Sequence, residues 1–312
     1  MNKTKITSLL LCLCLAISSF ALASCNGNNG NQSSTATSEN TTEDTTEVET
    51  SAPSTTEKTE YKICVKSEGG LELQEVEFEV YADLECTSLR ARGETDLGGN
   101  ATFKLAPGEY HIKITSAPDG YKHEDIYTVT SAETPITLKS YIRDNAPAAN
   151  FTYQRGDVIH NFILSGKGDD AITVKDALEE YGCIVLNFWY IGCGPCKAEF
   201  PYIQSAYEKY SEKVGLFALN GNPAESDADI ESFMTSNNYT FKTGRADNYL
   251  VNCFPVDGFP TTIVIDKYGV ICLIDVGSVP EEAPFVNAFE YFTSDSYTET
   301  KFFDSLHDIP AK

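Results

Sequence analysis

Ile184-Val185-Leu186-Asn187-Phe188-Trp189-Tyr190-Ile191-Gly192-Cys193-Gly194-Pro195-Cys196-Lys197-Ala198-Glu199-Phe200-Pro201 is the stretch on which the fold turns. Its first six residues are apolar except for Asn187, the mark of a strand covered on both faces. Residues 194–211 then suit a helix, with Pro195 in the first turn, where a missing N–H costs nothing. A strand that ends on Cys-Gly-Pro-Cys and feeds a helix is a chemical arrangement. The nucleophile of disulfide exchange is the thiolate, and a helix N-terminus favours it through unpaired N–H groups and partial positive charge. Two intervening residues bring both sulfurs within one disulfide. Cys193 is expected to be the outer, attacking sulfur and Cys196 the deeper, resolving one. A structural disulfide or a zinc half-site would use the same spacing. Zinc needs about four ligands, yet no second CxxC exists and His111, His123, His160 and His307 are scattered. No metal and no cofactor is expected.

Outward from this stretch the pattern is α/β. Residues 173–181, 226–237 and 281–293 suit helices. Residues 214–219, 261–265 and 270–274 suit strands, the last two joined by a turn at Lys267 to Gly269. Alternating elements of this kind give a central sheet covered on both sides.

The active stretch resembles that of the TlpA/ResA-like branch of the thioredoxins, from Leu186-Asn187-Phe188-Trp189 through Cys193-Gly194-Pro195-Cys196 to Pro201, eight residues after Cys193. Gly258-Phe259-Pro260-Thr261-Thr262 resembles the family's cis-proline loop, and 156–162 its lead-in. The resemblance spans about 155–293 and implies a thiol–disulfide oxidoreductase. It implies that Pro260 is cis and faces the CxxC, and that the backbone of Phe259 pairs with an extended substrate segment. Asn187 stands where cytoplasmic thioredoxins carry a buried Asp. Glu199 matches the branch's active-site Glu, a candidate proton relay for the buried thiol; the alternative is a solvated helix-surface carboxylate. Gly192 replaces the usual Trp before the first Cys, which removes a flat aromatic contact surface and leaves substrate preference open; Gly192, Gly194, Pro195 and Phe259 are the expected substrate contacts. Gly-Pro between the cysteines resembles reducing thioredoxins, which implies a membrane thiol electron donor of the CcdA/DsbD-like kind. Cytochrome c maturation is a common task in the family.

Residues 61–140 alternate apolar and polar residues at 61–65, 76–80, 110–114 and 136–138, with turns at Gly69-Gly70, 96–100, Pro107-Gly108 and Pro118-Asp119-Gly120. They read as a small antiparallel sandwich. Thr95-Asp96-Leu97-Gly98-Gly99-Asn100-Ala101-Thr102-Phe103, with Pro107-Gly108-Glu109-Tyr110, resembles a CnaB or prealbumin-like module of Gram-positive surface proteins. Lys66 could supply the lysine of that family's isopeptide bond, but residues 137–140 offer no Asn; the module is read as a spacer or docking unit. The expected fold class is therefore multidomain: an all-β prealbumin-like sandwich followed by an α/β thioredoxin-like fold.

Lys3 and Lys5 precede an apolar run at 8–23, shorter than the roughly 20 residues that span a bilayer and laid out as a secretory signal. Leu22-Ala23-Ser24-Cys25 resembles a bacterial lipobox, which implies lipidation of Cys25 and anchoring to the outer face of the membrane. Residues 26–60 are nearly all polar and read as a disordered tether. The expected organisation is a signal peptide at 1–24, a lipidated tether at 25–60, the sandwich at 61–140, a linker at 141–155, the thioredoxin-like domain at 156–293 and a tail at 294–312. Of ten cysteines, seven remain after the signal and the lipidated Cys25. An odd number cannot all pair internally. Cys64 and Cys86 could pair or stay free, Cys253 could be a third redox thiol or a buried free one, and Cys183 and Cys272 fall in strands. A net charge of −23 over 312 residues excludes a nucleic-acid partner. The partners implied are thiols and disulfides of exported proteins. An oxidase or isomerase with the same residues, and a non-enzymatic binding platform on this fold, are the alternatives; a peroxidase motif is missing.

Overall fold

The computed structural model describes residues 57–130, 132–148, 150–246 and 248–311, all within one compact unit, 55–312. The signal, Cys25 and nearly all of the tether lie outside the described residues. Among those described, no helix is long and apolar enough to cross a membrane.

The N-terminal part is all-β. Strands β1 (Thr59–Ser67), β4 (Asn100–Leu105) and β7 (Glu133–Leu138) form a three-stranded sheet in the order β4-β1-β7. Strands β2 (Glu77–Tyr81), β3 (Leu89–Glu94), β5 (Tyr110–Ser116) and β6 (Ile126–Val129) form a second, ordered β3-β2-β5-β6. The sheets bury the inward residues of their alternating strands: Tyr61, Ile63 and Val65 from β1 against Phe78, Val80, Ile112 and Ile114. The isopeptide lysine of the resemblance, Lys66, instead pairs with Glu72 at 3.6 Å.

The C-terminal part begins with a hairpin, β8 (Ile163–Ser165) and β9 (Ile172–Thr173), and helix α1 (Val174–Glu180), started by a Thr173–Asp176 capping box. Its main sheet has the order β12-β11-β10-β13-β14. The strands are β10 (Cys183–Trp189), β11 (Val214–Asn220), β12 (Lys242–Arg245), β13 (Thr261–Asp266) and β14 (Ile271–Val276). β12, β11 and β10 are parallel, while β13 and β14 run antiparallel to their neighbours. Helices α2 (Gly194–Tyr210), α3 (Asp227–Ser236) and α5 (Glu282–Phe292) cover one face, and α1 and α4 (Asn248–Cys253) the other. Every residue of the central strands β10, β11 and β13 is buried, so their sequences show no apolar–polar alternation, and the polar residues among them, Asn187, Asn220, Thr261, Thr262 and Asp266, are buried too.

The two parts share packing. Val158 and Val270 of the C-terminal part join the apolar cluster of the sandwich. Gly120, at φ +91°, admits Val158 so closely that a Cβ there would lie 2.5 Å from it. Arg143, almost fully buried, bridges Asp119 at 2.8 Å and donates to the Val158 carbonyl. Residues after α5 close the same end: Thr300 N–H donates to the Gly69 carbonyl, and Tyr297 and Thr300 donate to buried Asp266.

Candidate active site

β10 ends at Trp189, and after three intervening residues Cys193 is the N-cap of α2. Its Sγ accepts from the Cys196 N–H at 3.1 Å, and its sulfur is joined to Cys196 in a disulfide. Gly192, Gly194 and Pro195 are exposed around it, whereas Cys193 is 2% exposed and Cys196 fully buried. The helix start therefore presents a rim of small residues over sunken sulfurs. Five other described cysteines, Cys64, Cys86, Cys183, Cys253 and Cys272, are free thiols, the last three buried.

The loop before β13 closes on this rim. The Phe259–Pro260 peptide is cis, and the Phe259 carbonyl oxygen lies 3.6 Å from Cys193 Sγ. A disulfide sulfur has no hydrogen to give that oxygen; a thiol would. Phe259 stands edge-on to Tyr190, ring centroids 5.3 Å apart, forming an aromatic wall beside the disulfide. Trp189 is core, packed on Phe200 and Phe233.

Glu199 lies one turn after Cys196 on the buried face of α2 and has no exposed surface. This is no surface carboxylate. Its Oε2 accepts from the Val279 N–H at 3.0 Å and its Oε1 from Asn187 Nδ2 at 2.8 Å. Burial pushes its carboxyl up to about 7, with those two hydrogen bonds acting the other way. At that position the group exchanges protons near neutrality, in the range where an ordinary thiol begins to ionise.

The structure thus brings together Cys193, Cys196, Glu199, Phe259, Pro260, Gly192, Gly194 and Pro195. Besides the Val279 N–H, three contributors were not singled out from sequence. Thr262 accepts from Asn187 Nδ2 at 3.1 Å. Ser278 donates to the Pro195 carbonyl at 3.0 Å. Glu225 accepts from the backbone N–H groups of Ile191 and Gly192, at 2.9 and 3.4 Å, and from Asn220 and Asn222. Partial burial would raise its carboxyl, but these donors outweigh it and hold it below the usual range. Only the turn-forming stretch Asn220-Gly221-Asn222-Pro223 at the end of a buried strand hints at this in the sequence.

A cavity of about 1090 Å³ lies elsewhere, lined by Leu164, Ile230, Gly244, Arg245 and Leu250 among others, and neither Cys193 nor Cys196 borders it. At the disulfide the exposed residues are the rim itself, Gly192, Gly194 and Pro195. A thioredoxin-type sheet, a Cys-x-x-Cys disulfide at a helix start and a facing cis-proline define a dithiol–disulfide exchange protein. Comparison with known proteins agrees. Residues 59–146 match a family described as a prealbumin-like fold domain (SpaA), and residues 154–290 match Redoxin. The thioredoxin-like protein YneN of Bacillus subtilis is 29% identical over 41% of this chain and 75% of its own. The thiol-disulfide oxidoreductase ResA of the same organism is 30% identical over 43% of this chain and 74% of its own. A crystal structure of a putative thiol:disulfide interchange protein DsbE from Chlorobium tepidum shares 26% identity, covering 41% of this chain and 89% of that one, at a TM-score of 0.35. Through its C-terminal part the chain belongs to the ResA-like thiol-disulfide oxidoreductases, and it carries a prealbumin-like domain ahead of that part.

Proposed function

We propose that the protein is an extracytoplasmic oxidoreductase, anchored to the membrane through lipidated Cys25, that reduces disulfides of exported proteins. The observation that carries the chemistry is the Cys193–Cys196 disulfide at the start of α2 with a buried carboxyl one turn below it. In the reduced protein, the Cys193 thiolate attacks one sulfur of a substrate disulfide and expels a substrate thiolate. Cys196 gives its proton to Glu199 and attacks Cys193, which forms the Cys193–Cys196 disulfide and expels the second substrate thiolate. Two electrons pass to the substrate, and the two expelled thiolates take up protons from solvent and Glu199. The Phe259 carbonyl, held beside Cys193 by Pro260, pairs with the extended substrate backbone. Gly192, Gly194 and Pro195 let that backbone come close because they carry little side chain. A CcdA/DsbD-like membrane thiol donor restores the dithiol.

The test is the reduction potential of the purified protein, read by thiol alkylation across glutathione buffers with Cys193→Ser as control. A value near roughly −270 mV supports a reductase; one near roughly −120 mV makes the same site an oxidase. Retention in the membrane fraction, lost in Cys25→Ala, tests the anchor.

A further inference from the structure

The hydrogen-bond count around Glu199 closes for only one of its two protonation states. Asn187 is 1% exposed; its Nδ2 donates to both Glu199 Oε1 and Thr262 Oγ1, and its Oδ1 is buried without a partner. A Glu199 carboxylate fits this cage, since each oxygen faces a donor. A Glu199 carboxylic acid does not. The Val279 N–H belongs to backbone and cannot turn away, and a carbonyl oxygen accepts it better than a hydroxyl oxygen, so Oε2 is the favoured acceptor and Oε1 the favoured seat of the proton. There it would point at Asn187 Nδ2, donor against donor, in a buried pocket where an unmade hydrogen bond is costly.

Turning the Asn187 amide over removes the conflict. Oδ1 then occupies the present position of Nδ2 and accepts from the Glu199 O–H and from the Thr262 hydroxyl, which can donate as well as accept. Two hydrogen bonds exist in either arrangement, and the amide atom facing away is unpartnered in either, so the turn-over costs no bond. The N and O of a buried amide are told apart only by their partners, and here the partners change with the proton.

We propose that Asn187 is a reversible positioning residue: its amide turns over whenever Glu199 gains or loses a proton, so that one buried cage holds both forms of the carboxyl. The residue type follows. An Asp would bring a second carboxylate into the pocket, and like charges oppose each other's ionisation. An apolar residue would leave the Glu199 carboxylate short of a donor. The upward displacement of Glu199 by burial supports this, because both forms are then populated near neutral pH.

The proposal rests on the reading of Glu199 as the group that takes the Cys196 proton, and the experiment separates the two. In the oxidised full chain, NMR follows the Glu199 carboxyl carbon and the Asn187 side-chain amide protons between about pH 5 and pH 9, the range that brackets a neutral titration. Cross-peaks from the Asn187 amide protons to the Glu199 and Thr262 side chains are expected at the high end and lost at the low end. Glu199→Gln supplies the second arm. Its amide oxygen takes the Val279 N–H, its NH₂ must face an acceptor, and Asn187 is held turned over, so the cross-peaks are absent at both ends. Cross-peaks that persist at the low end while the Glu199 carbon titrates mean a fixed amide and overturn the proposal, leaving the role of Glu199 intact. A Glu199 carbon that does not titrate across this range overturns both.

Discussion

Replacing Glu199 by Gln should make the protein more stable at alkaline pH while slowing its chemistry. Burial raises the carboxyl from 4.5 to about 7. A group raised on folding contributes its full stability below its unfolded value and loses it as pH climbs through its folded value. Ionised Glu199 therefore destabilises the native state by about 3 kcal/mol above pH 8, the order of magnitude that a rise from 4.5 to about 7 corresponds to. Gln keeps the shape without the charge and escapes this. The difference between variant and wild type should be near zero at about pH 4, rise through neutrality, and level off at about 3 kcal/mol. Trp189 is the only tryptophan of the chain and is fully buried in the C-terminal part, so its fluorescence reports unfolding of that part in urea. With a denaturant slope of about 3 kcal/mol/M, the midpoint should move up by about 1 M at pH 8 and hardly at all at pH 4. The same variant should resolve mixed disulfides more slowly, by up to the 10²–10⁴-fold typical of a lost proton acceptor. A stability difference that is the same at every pH, or a variant weaker than wild type at pH 8, would refute the claim that the buried charge sets the balance.

Cys196→Ala should keep the attack and lose the resolution, so a disulfide-bonded test substrate should accumulate as a covalent adduct on non-reducing gels, absent when Cys193 is also replaced. Glu225→Ala removes the acceptor of the Ile191 and Gly192 N–H groups. It should cost about 1–2 kcal/mol in urea, given the partial exposure, and speed amide hydrogen exchange at those two positions; unchanged exchange there would rule out the clamp. Gly120→Ala would set a Cβ 2.5 Å from Val158 at a φ of +91°, so it should destabilise by about 1–3 kcal/mol. Thermal unfolding of wild type and variant measures this.

Legibility followed the range over which each signal acts. The buried strand β10 and the helix after it were readable because a run covered on both faces has no polar positions except one that matters, Asn187. The strands β3 and β6 were not foreseen: β3 buries no residue and β6 only Val129, so neither leaves an apolar alternation to find. The short β12 has no fully buried residue either and is held by its register on β11. At the site, residues joined by the local Cys-x-x-Cys geometry were readable, while Glu199, Phe259 and Pro260 were legible only through the family resemblance. Thr262, Ser278, Val279 and Glu225 were invisible for another reason: each acts through a bond across 30 to 85 residues of chain, and the Val279 donor is backbone, to which no residue type corresponds.

The same topology explains why the sandwich can pack tightly without hindering exchange. In the register of β10 against β13, Cys183 faces Asp266 at one end and Phe188 faces Thr261 at the other. The sandwich contacts Val158, Tyr268 and Val270, all near the Asp266 end. The disulfide follows the opposite end, a strand length or roughly 20 Å away. Asp266 draws the hairpin and the last residues together there, accepting from the Tyr268 and Val270 N–H groups as well as from Tyr297 and Thr300. The sandwich thus meets the sheet at the end remote from the disulfide, and the rim of Gly192, Gly194 and Pro195 stays exposed.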